Sequence, residues 1–423
     1  MTLNSSSWQS VAIERLCLRI TSGGTPLRRN QNFYEGGSIP WVKTGELKDW
    51  YIEDTEERIT EEAIEHSSAK LFPKETVLMA MYGDGRTITS LGILRREAAS
   101  NQACCAMIAD PSACHPLFLF YSLKSHRQAL LKLAYGGAQR NLNAKTIRQF
   151  QIPVPSLSVQ QAIVSILSAY DDLIENNTRR IKILEEMAQM LYREWFVNFR
   201  FPGHQNIKMV ESELGRIPEG WKVETLPHMC SKVIDGTHDS PPPVEDGFFL
   251  VTGKHFTSGF IDFDGCYRIS ADEHEKVMKR SKPEAGDILF SNIGTLGSIA
   301  QVPNQPEFSI KNVALLKPKT AAHSTFMFCH FRLPESLEVL HQKASGTSQK
   351  FWSLQFLRSL PLVTPPGDAI VLFHHEVAPL LSYRLLLNEK NRNLRTTRDL
   401  LLPKLISGEI LVDTAEEVME QTA

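Results

Sequence analysis

The chain has 423 residues, 42% of them apolar and 22% charged, and it exceeds the roughly 250 to 300 residues at which single hydrophobic cores stop growing. Its 46 Lys plus Arg stand against 48 Asp plus Glu, so no overall basic field advertises a nucleic-acid or membrane partner. The strongly apolar runs fall short of the roughly 18 residues that cross a bilayer, and the polar start MTLNSSSWQS has no signal-peptide pattern. These features predict a cytoplasmic protein of two or more domains.

In chain order, TVLMAMYGDG (Thr76 to Gly85) reads as a strand running into a tight glycine turn, and LFLFYSLKSHRQALLKLA (Leu117 to Ala134) as a helical patch. Glu53 to Glu65 is an acidic run suited to a solvated helix start or loop. Next, Ser158 to Phe196 contains neither Gly nor Pro. Its apolar positions recur with alternating spacings of four and three, at Ile163, Leu167, Tyr170, Ile174, Asn177, Ile181, Leu184, Ala188, Leu191 and Trp195. That is a heptad seam, predicting a coiled-coil helix roughly 60 Å long that acts as a spacer.

The rest of the chain repeats what came before. AYGGAQRNLNAKTIRQFQIPVP (Ala134 to Pro155) aligns without gaps on ASGTSQKFWSLQFLRSLPLVTP (Ala344 to Pro365), matching Arg140 with Lys350, Arg148 with Arg358 and Pro155 with Pro365. Upstream, Trp8 pairs with Trp221, Gly24-Thr25 with Gly236-Thr237, Thr44-Gly45 with Thr252-Gly253, and Ile59-Thr60 with Ile269-Ser270. GDILFSNIGTLG (Gly286 to Gly297) is a second strand entering a glycine turn. The repeat unit is therefore mixed α/β. The seam returns 210 residues on, at Phe373, Val377, Leu380, Arg384, Leu387, Asn391, Leu394, Arg398, Leu401 and Leu405. Pro379 lacks an amide and clashes with the preceding turn, which predicts a kink or break. If the two helices pack antiparallel, Asn177 and Asn391 fall in one layer, where each amide can satisfy the other. The alternative is that each helix packs on its own domain.

Catalytic motifs are missing. Thr252-Gly253-Lys254-His255 lacks the first Gly and the hydroxyl of a P-loop, His374-His375-Glu376 lacks the second His of a metalloprotease helix, and no G-x-S-x-G elbow occurs. Pro241-Pro242-Pro243-Val244 and Pro365-Pro366-Gly367 lack the aromatic that would stack on a flipped base. The seven cysteines (Cys17, Cys104, Cys105, Cys114, Cys230, Cys266 and Cys329) form no C-x-x-C pair and read as reduced, mostly buried thiols. No catalytic residue and no metal site is assigned.

Charge is uneven along the chain. Pro111 to Tyr170 has no Asp or Glu but holds Lys124, Arg127, Lys132, Arg140, Lys145 and Arg148. The matching stretch from Phe308 to Gly367 holds Lys311, Lys317, Lys319, Arg332, Lys343, Lys350 and Arg358 against Glu335 and Glu338. Two basic stretches in equivalent places suit a long polyanion, although a solvated basic face of no consequence explains them equally well. In the glycine turns, Arg86 and Asn292 are of the types that pair with guanine and adenine in a major groove. The candidate DNA contacts are Lys43, Arg86, Arg140 and Lys145 in the first copy, and Lys254, Asn292, Lys311 and Lys350 in the second.

Together with the repeat, five segments resemble the specificity subunit of type I restriction-modification systems: IPWVKTGEL (Ile39 to Leu47), SNQACCAMI (Ser100 to Ile108), IPVPSLSVQQAIVSIL (Ile152 to Leu167), the long helix that follows, and RDLLLPKLISGEI (Arg398 to Ile410). The resemblance implies a target-recognition domain over residues 1–157, a spacer helix over 158–200, a second recognition domain over 214–366, a second helical region over 367–407 and an acidic tail over 408–423. It implies a non-catalytic chain whose two domains each read half of a bipartite double-stranded DNA site. The helices then set the spacing and dock two methyltransferase subunits. It further implies S-adenosylmethionine for adenine-N6 methylation, and ATP and Mg for restriction and translocation subunits, none of them bound by this chain. Arg384 and Arg398 at seam positions, and the segment GDAIVLFHHEVAP, depart from the family pattern. The rival reading is a scaffold whose duplicated domains bind protein.

Overall fold

The computed structural model describes residues 8–83, 87–135, 140–342 and 350–412. It divides into two compact units, Met1–Asn176 with Lys390–Ala423, and Asn177–Glu389. Each unit thus combines one copy of the repeat with part of both long helices, whereas the linear domain boundaries separate copies from helices.

In the first unit, strand Gln9–Ala12 closes antiparallel on Gln151–Val154, joining the two ends of the copy. Between them lies a five-stranded sheet in which Cys104–Ala109 is flanked antiparallel by Cys17–Ser22 and Val77–Ala80, and Leu91–Leu94 and Trp50–Ile52 complete the far side. The strand VLMA (Val77–Ala80) is buried on both faces, which is why it reads as a continuous apolar run. A second, four-stranded sheet is built around a parallel pair, Ile39–Val42 and Ala98–Ser100. The Thr60 hydroxyl caps helix Glu61–Glu65 and Asn143 caps Ala144–Gln149, each taking an otherwise unpaired amide of the first turn.

The second unit repeats this wiring. Lys222–Thr225 closes on Pro361–Thr364. Ala314–Pro318 lies between Cys230–Asp235 and Ile288–Phe290, with Ile299–Gln301 beyond. The parallel pair is Phe248–Val251 with Phe308–Ile310. Ser270 and Ser353 cap helices Ala271–Arg280 and Leu354–Arg358, in the places of Thr60 and Asn143. The duplication is therefore a duplication of topology. One pairing is corrected: Gly23, not Gly24, is the counterpart of Gly236. A Cβ on Gly23 would meet the Ser100 carbonyl oxygen at 2.1 Å, and one on Gly236 the Ile310 carbonyl oxygen at 2.2 Å, so neither position tolerates a side chain.

The central helix spans Leu157–Tyr192 and continues through a π-turn over Arg193–Val197. The C-terminal helix spans Gly367–Ser407. Every predicted seam position is buried or half-buried in both, from Ile163, Leu167, Ile174 and Ile181 to Val377, Leu387, Asn391 and Leu405, with Tyr170, Leu184, Leu191, Leu380, Leu394, Arg398 and Leu401 the half-buried ones. Within the first unit Ile163 and Leu167 share a core with Leu402, Leu405 and Ile406. Asp171 pairs with Arg398, and Asn391 Nδ2 donates to the Ile174 carbonyl at 3.3 Å. Within the second, Tyr192 meets the Phe373 ring at 5.8 Å, Glu185 pairs with Arg384, and Arg180 lies over Tyr383. From Asp171–Arg398 to Ile174–Asn391 in the first unit, and from Glu185–Arg384 to Tyr192–Phe373 in the second, partner numbers fall along one helix as they rise along the other, so the helices pack antiparallel. Asn177 is buried as well. The two seam arginines that depart from the family pattern are thus the partners of Asp171 and Glu185, each next to a seam position of the central helix.

One expectation is overturned. The C-terminal helix runs through Pro379 without a break. Pro379 lies on the exposed face, and His375, whose carbonyl loses its amide partner, is also exposed, so water can satisfy that oxygen. This helix also contains an 18-residue window of mean hydropathy 1.2 with few charges, long and apolar enough to cross a membrane by length and composition alone. Polar residues such as His374 and Glu376 interrupt its apolar run.

All seven cysteines are free thiols, five of them buried. Burial pushes the Cys105, Cys114, Cys230 and Cys329 thiols up to about 12, so they pack as small apolar groups rather than react as thiolates.

Candidate nucleic-acid interface

In each copy the loops that carry the candidate contacts gather at one end of the two sheets, because strand ends are tied to one another by backbone hydrogen bonds. In the first copy Asn101 N donates to the Val42 carbonyl (2.9 Å), Gly24 N to that of Ser100 (2.8 Å), Met81 N to that of Ala103 (2.8 Å) and Leu142 N to that of Met81 (2.8 Å). In the second, Lys311 N donates to Val251 (2.9 Å), Thr237 N to Ile310 (3.0 Å) and Trp352 N to Asn292 (2.9 Å). Each rim therefore joins the turn after the first parallel strand, the loop after the second, the glycine turn and the segment from the end of the copy.

This places the sequence-predicted residues as follows. Strand Tyr82–Gly83 pairs with Arg140–Asn141. Arg86 itself and the Arg140 side chain lie outside the described residues. In the second copy Ile293 bridges Phe351, which sets the Asn292 turn beside Lys350, and Gly253 packs against Ser291, which brings in the Lys254 turn. Lys145, Lys254 and Lys350 are exposed.

Three candidates are already engaged. Lys43 reaches Glu56 and Glu57, both at 3.0 Å, and these carboxylates raise its pKa. Lys311 donates to the Ser240 hydroxyl. Asn292 is corrected from base reader to loop closure: it is buried, and its Nδ2 donates to the Trp352 carbonyl at 3.0 Å. The reason is positional. Asn292 is the counterpart of Met81, a core residue whose carbonyl makes the equivalent bond to Leu142.

Several residues of the basic stretches are engaged within the protein. Arg148 Nη2 donates to the Ile20 carbonyl and Arg358 Nη2 to the Val233 carbonyl, both at 2.6 Å. These equivalent arginines staple a helix to the first sheet strand in both copies. Arg127 is bound to Asp49 and, although burial opposes it, holds that carboxyl below its usual range. Burial lowers the Lys124 pKa. Lys317 is held by Glu284 (2.8 Å) and Asp287, and Arg332 by Glu185 (3.0 Å).

Sequence reasoning missed several rim residues. Tyr82, Tyr135 and Phe351 are exposed aromatics flanking the paired segments, and aromatic faces at such a rim suit contacts with sugars or bases. Thr25, Gln102, His238 and Asn312 also stand there. Their equivalence becomes visible once Gly23 is matched with Gly236, since the same displacement then carries Thr25 onto His238.

Two topologically equivalent α/β domains, each with a loop rim at one end of its sheets and each packed on antiparallel long helices, define a duplicated-domain class of protein. The profile of the type I restriction modification DNA specificity domain matches residues 5–186. The type I restriction enzyme MjaIX specificity subunit of Methanocaldococcus jannaschii is 28% identical over 410 residues, covering 93% of this chain and 91% of the relative. The EcoR124I/EcoR124II specificity subunit of Escherichia coli is 29% identical over 191 residues, covering 44% of this chain and 46% of the relative. Among solved structures, the crystal structure of the type I restriction-modification S subunit from M. genitalium superposes with a TM-score of 0.59 at 17% identity, covering 98% of this chain and 99% of that one, a likeness of fold. Residues 5–186 thus match the type I restriction modification DNA specificity domain, and nearly the whole chain is similar to a type I restriction enzyme specificity subunit.

Proposed function

We propose that this chain is the non-catalytic DNA-recognition subunit of a type I restriction-modification complex, each copy reading one half of a bipartite duplex site through its loop rim. The observation that carries this reading is the rim itself, built twice by the same backbone contacts from segments far apart in sequence. Exposed Lys145, Lys254 and Lys350 supply phosphate contacts that position the rims, while the loops supply base contacts. The paired helices set the gap between half-sites. Their outward faces carry exposed Leu173, Ile183, Met190, Val371, Leu386 and Leu400, apolar surface of the kind that marks protein docking, here for two methyltransferase subunits. S-adenosylmethionine is then used by those subunits, and ATP and Mg by a restriction subunit. A cytoplasmic location follows from this role.

The test is co-expression with the methyltransferase subunit followed by mapping of methylated adenines. A bipartite motif with a fixed gap is expected. Methylation at a continuous motif, or none that depends on this chain, would overturn the reading.

A further inference from the structure

Both rims contain the same two-residue device. Thr25 and His238 are equivalent through the first sheet strands, Cys17–Ser22 and Cys230–Asp235. Gln102 and Asn312 are equivalent through the parallel strands that precede them, Ala98–Ser100 and Phe308–Ile310, since Asn101 N and Lys311 N make matching bonds to Val42 and Val251. In the first copy the Thr25 hydroxyl donates to Gln102 Oε1. In the second, His238 Nδ1 faces Asn312 Oδ1 at 2.8 Å, and its Nε2 faces Asp235 Oδ2 at 2.8 Å. Arg280 also pairs with Asp235.

The backbone brings each pair together. Gly23 N donates to the Cys104 carbonyl at 3.2 Å and Gly236 N to the Val313 carbonyl at 3.0 Å, and these are the glycines where a Cβ would collide with backbone. Asn312 N donates to the Thr237 carbonyl at 3.1 Å. Two carboxamides at equivalent rim positions thus have their oxygens held from within the protein by chemically different residues, a hydroxyl in one copy and an imidazole in the other. A preserved geometry with changed chemistry indicates that holding the carboxamide is what both arrangements achieve. Among the described residues neither Gln102 Nε2 nor Asn312 Nδ2 makes a hydrogen bond, which leaves two N–H donors on each rim. Such donors match the acceptors that bases present in the major groove, guanine O6 and N7, adenine N7 and thymine O4.

We propose that Gln102 and Asn312 are specificity-determining residues, one per copy, each donating from its carboxamide nitrogen to a base-edge acceptor, with Thr25 and His238 as the residues that position them. This rests on the DNA-reading role proposed above and names which side chains read.

The test maps methylated adenines, with the methyltransferase subunit co-expressed, for the wild-type chain and for variants. Gln102→Ala should relax discrimination at one base position of one half-site by at least about 5-fold, and Asn312→Ala at one position of the other half-site, with the gap unchanged. Thr25→Val should relax the same position as Gln102→Ala, and Thr25→Ser should restore it, which a merely structural role would not require. Gln102→Glu keeps an oxygen where Gln102 has one but exchanges the donor for an acceptor, and should shift that position toward cytosine, whose N4 donates. A wild-type motif that these variants leave unchanged, or methylation lost evenly over both half-sites in an assembled complex, would overturn this inference alone. Absence of any bipartite motif with the wild-type chain would overturn the reading on which it rests.

Discussion

The ion pair between Glu185 and Arg384 gives a sharp energetic test of how the helices are held in the second unit. The Arg384 side chain is 0% exposed. Its guanidinium carbon lies 3.7 Å from the centroid of the Phe260 ring, and Nη2 donates to the Ser258 carbonyl at 2.6 Å. Burial lowers its pKa to about 10, which still leaves it charged at neutral pH. Glu185 answers two cations, taking Arg384 on Oε1 and Arg332 on Oε2. The partners are therefore not interchangeable. Glu185→Ala strands a buried guanidinium whose Nη1 has no partner among the described residues, and removing one side of a buried pair costs about 3–5 kcal/mol. Arg384→Met fills the space with an apolar chain and leaves Glu185 bound to Arg332, so the loss should be roughly 1–3 kcal/mol, the scale of a charged hydrogen bond. Adding Glu185→Leu to Arg384→Met should then cost little more, because Arg332 is partly exposed. Hydrogen exchange resolved along residues 177–197 and 367–389 measures the local free energy without assuming that the whole chain unfolds in one step. A smaller loss for Glu185→Ala than for Arg384→Met would refute this reasoning.

Two further predictions concern charge and pH. Arg148→Ala and Arg358→Ala should destabilise their units while leaving the salt dependence of DNA binding unchanged, whereas Lys145→Ala, Lys254→Ala and Lys350→Ala should leave stability alone and each flatten the slope of log affinity against log salt by about 1; unfolding midpoints and salt titrations separate the two groups. His274 is buried, stacked on Phe248 with ring centroids 3.8 Å apart and bonded through Nδ1 to Ser309 Oγ at 2.9 Å. Burial lowers its pKa in the folded state, with Glu307 opposing. The unfolded chain thus binds more protons below about pH 6.5, so stability should fall as pH drops through that value. His274→Gln should flatten the decline in the second unit's unfolding midpoint between pH 7 and 5; an unchanged slope would rule out this histidine as its cause.

Much of the architecture was legible because it depends on periodic burial. The seam from Ile163 to Leu405 could be read since a helix in close contact with another must repeat its buried stripe, and the two arginines that interrupt it mark the charged layers. The duplication was legible from matched Gly, Arg and Pro positions. Charge was less informative. Counting Lys and Arg along Pro111 to Tyr170 cannot distinguish Lys145, which is exposed, from Arg148, which is bound to the Ile20 carbonyl, because backbone acceptors leave no trace in composition. Lys43 meets carboxylates brought near by a turn. Asn292 looked like a base reader only by residue type, and its counterpart Met81 shows a core position. Thr25 and His238 share no chemistry, so only the superposition of strands and the tight glycines Gly23 and Gly236 reveals that they do the same work.

The central claim is that each copy reads its own half-site. Replacing residues 222–364 of this chain by its residues 9–154 exchanges the second copy for the first between equivalent closing strands. Co-expressed with the methyltransferase subunit, that chain should direct adenine methylation to a split motif with two identical half-sites, both matching the half-site of the first copy. An assembled complex that still methylates the original motif, with its two different half-sites, would contradict the account.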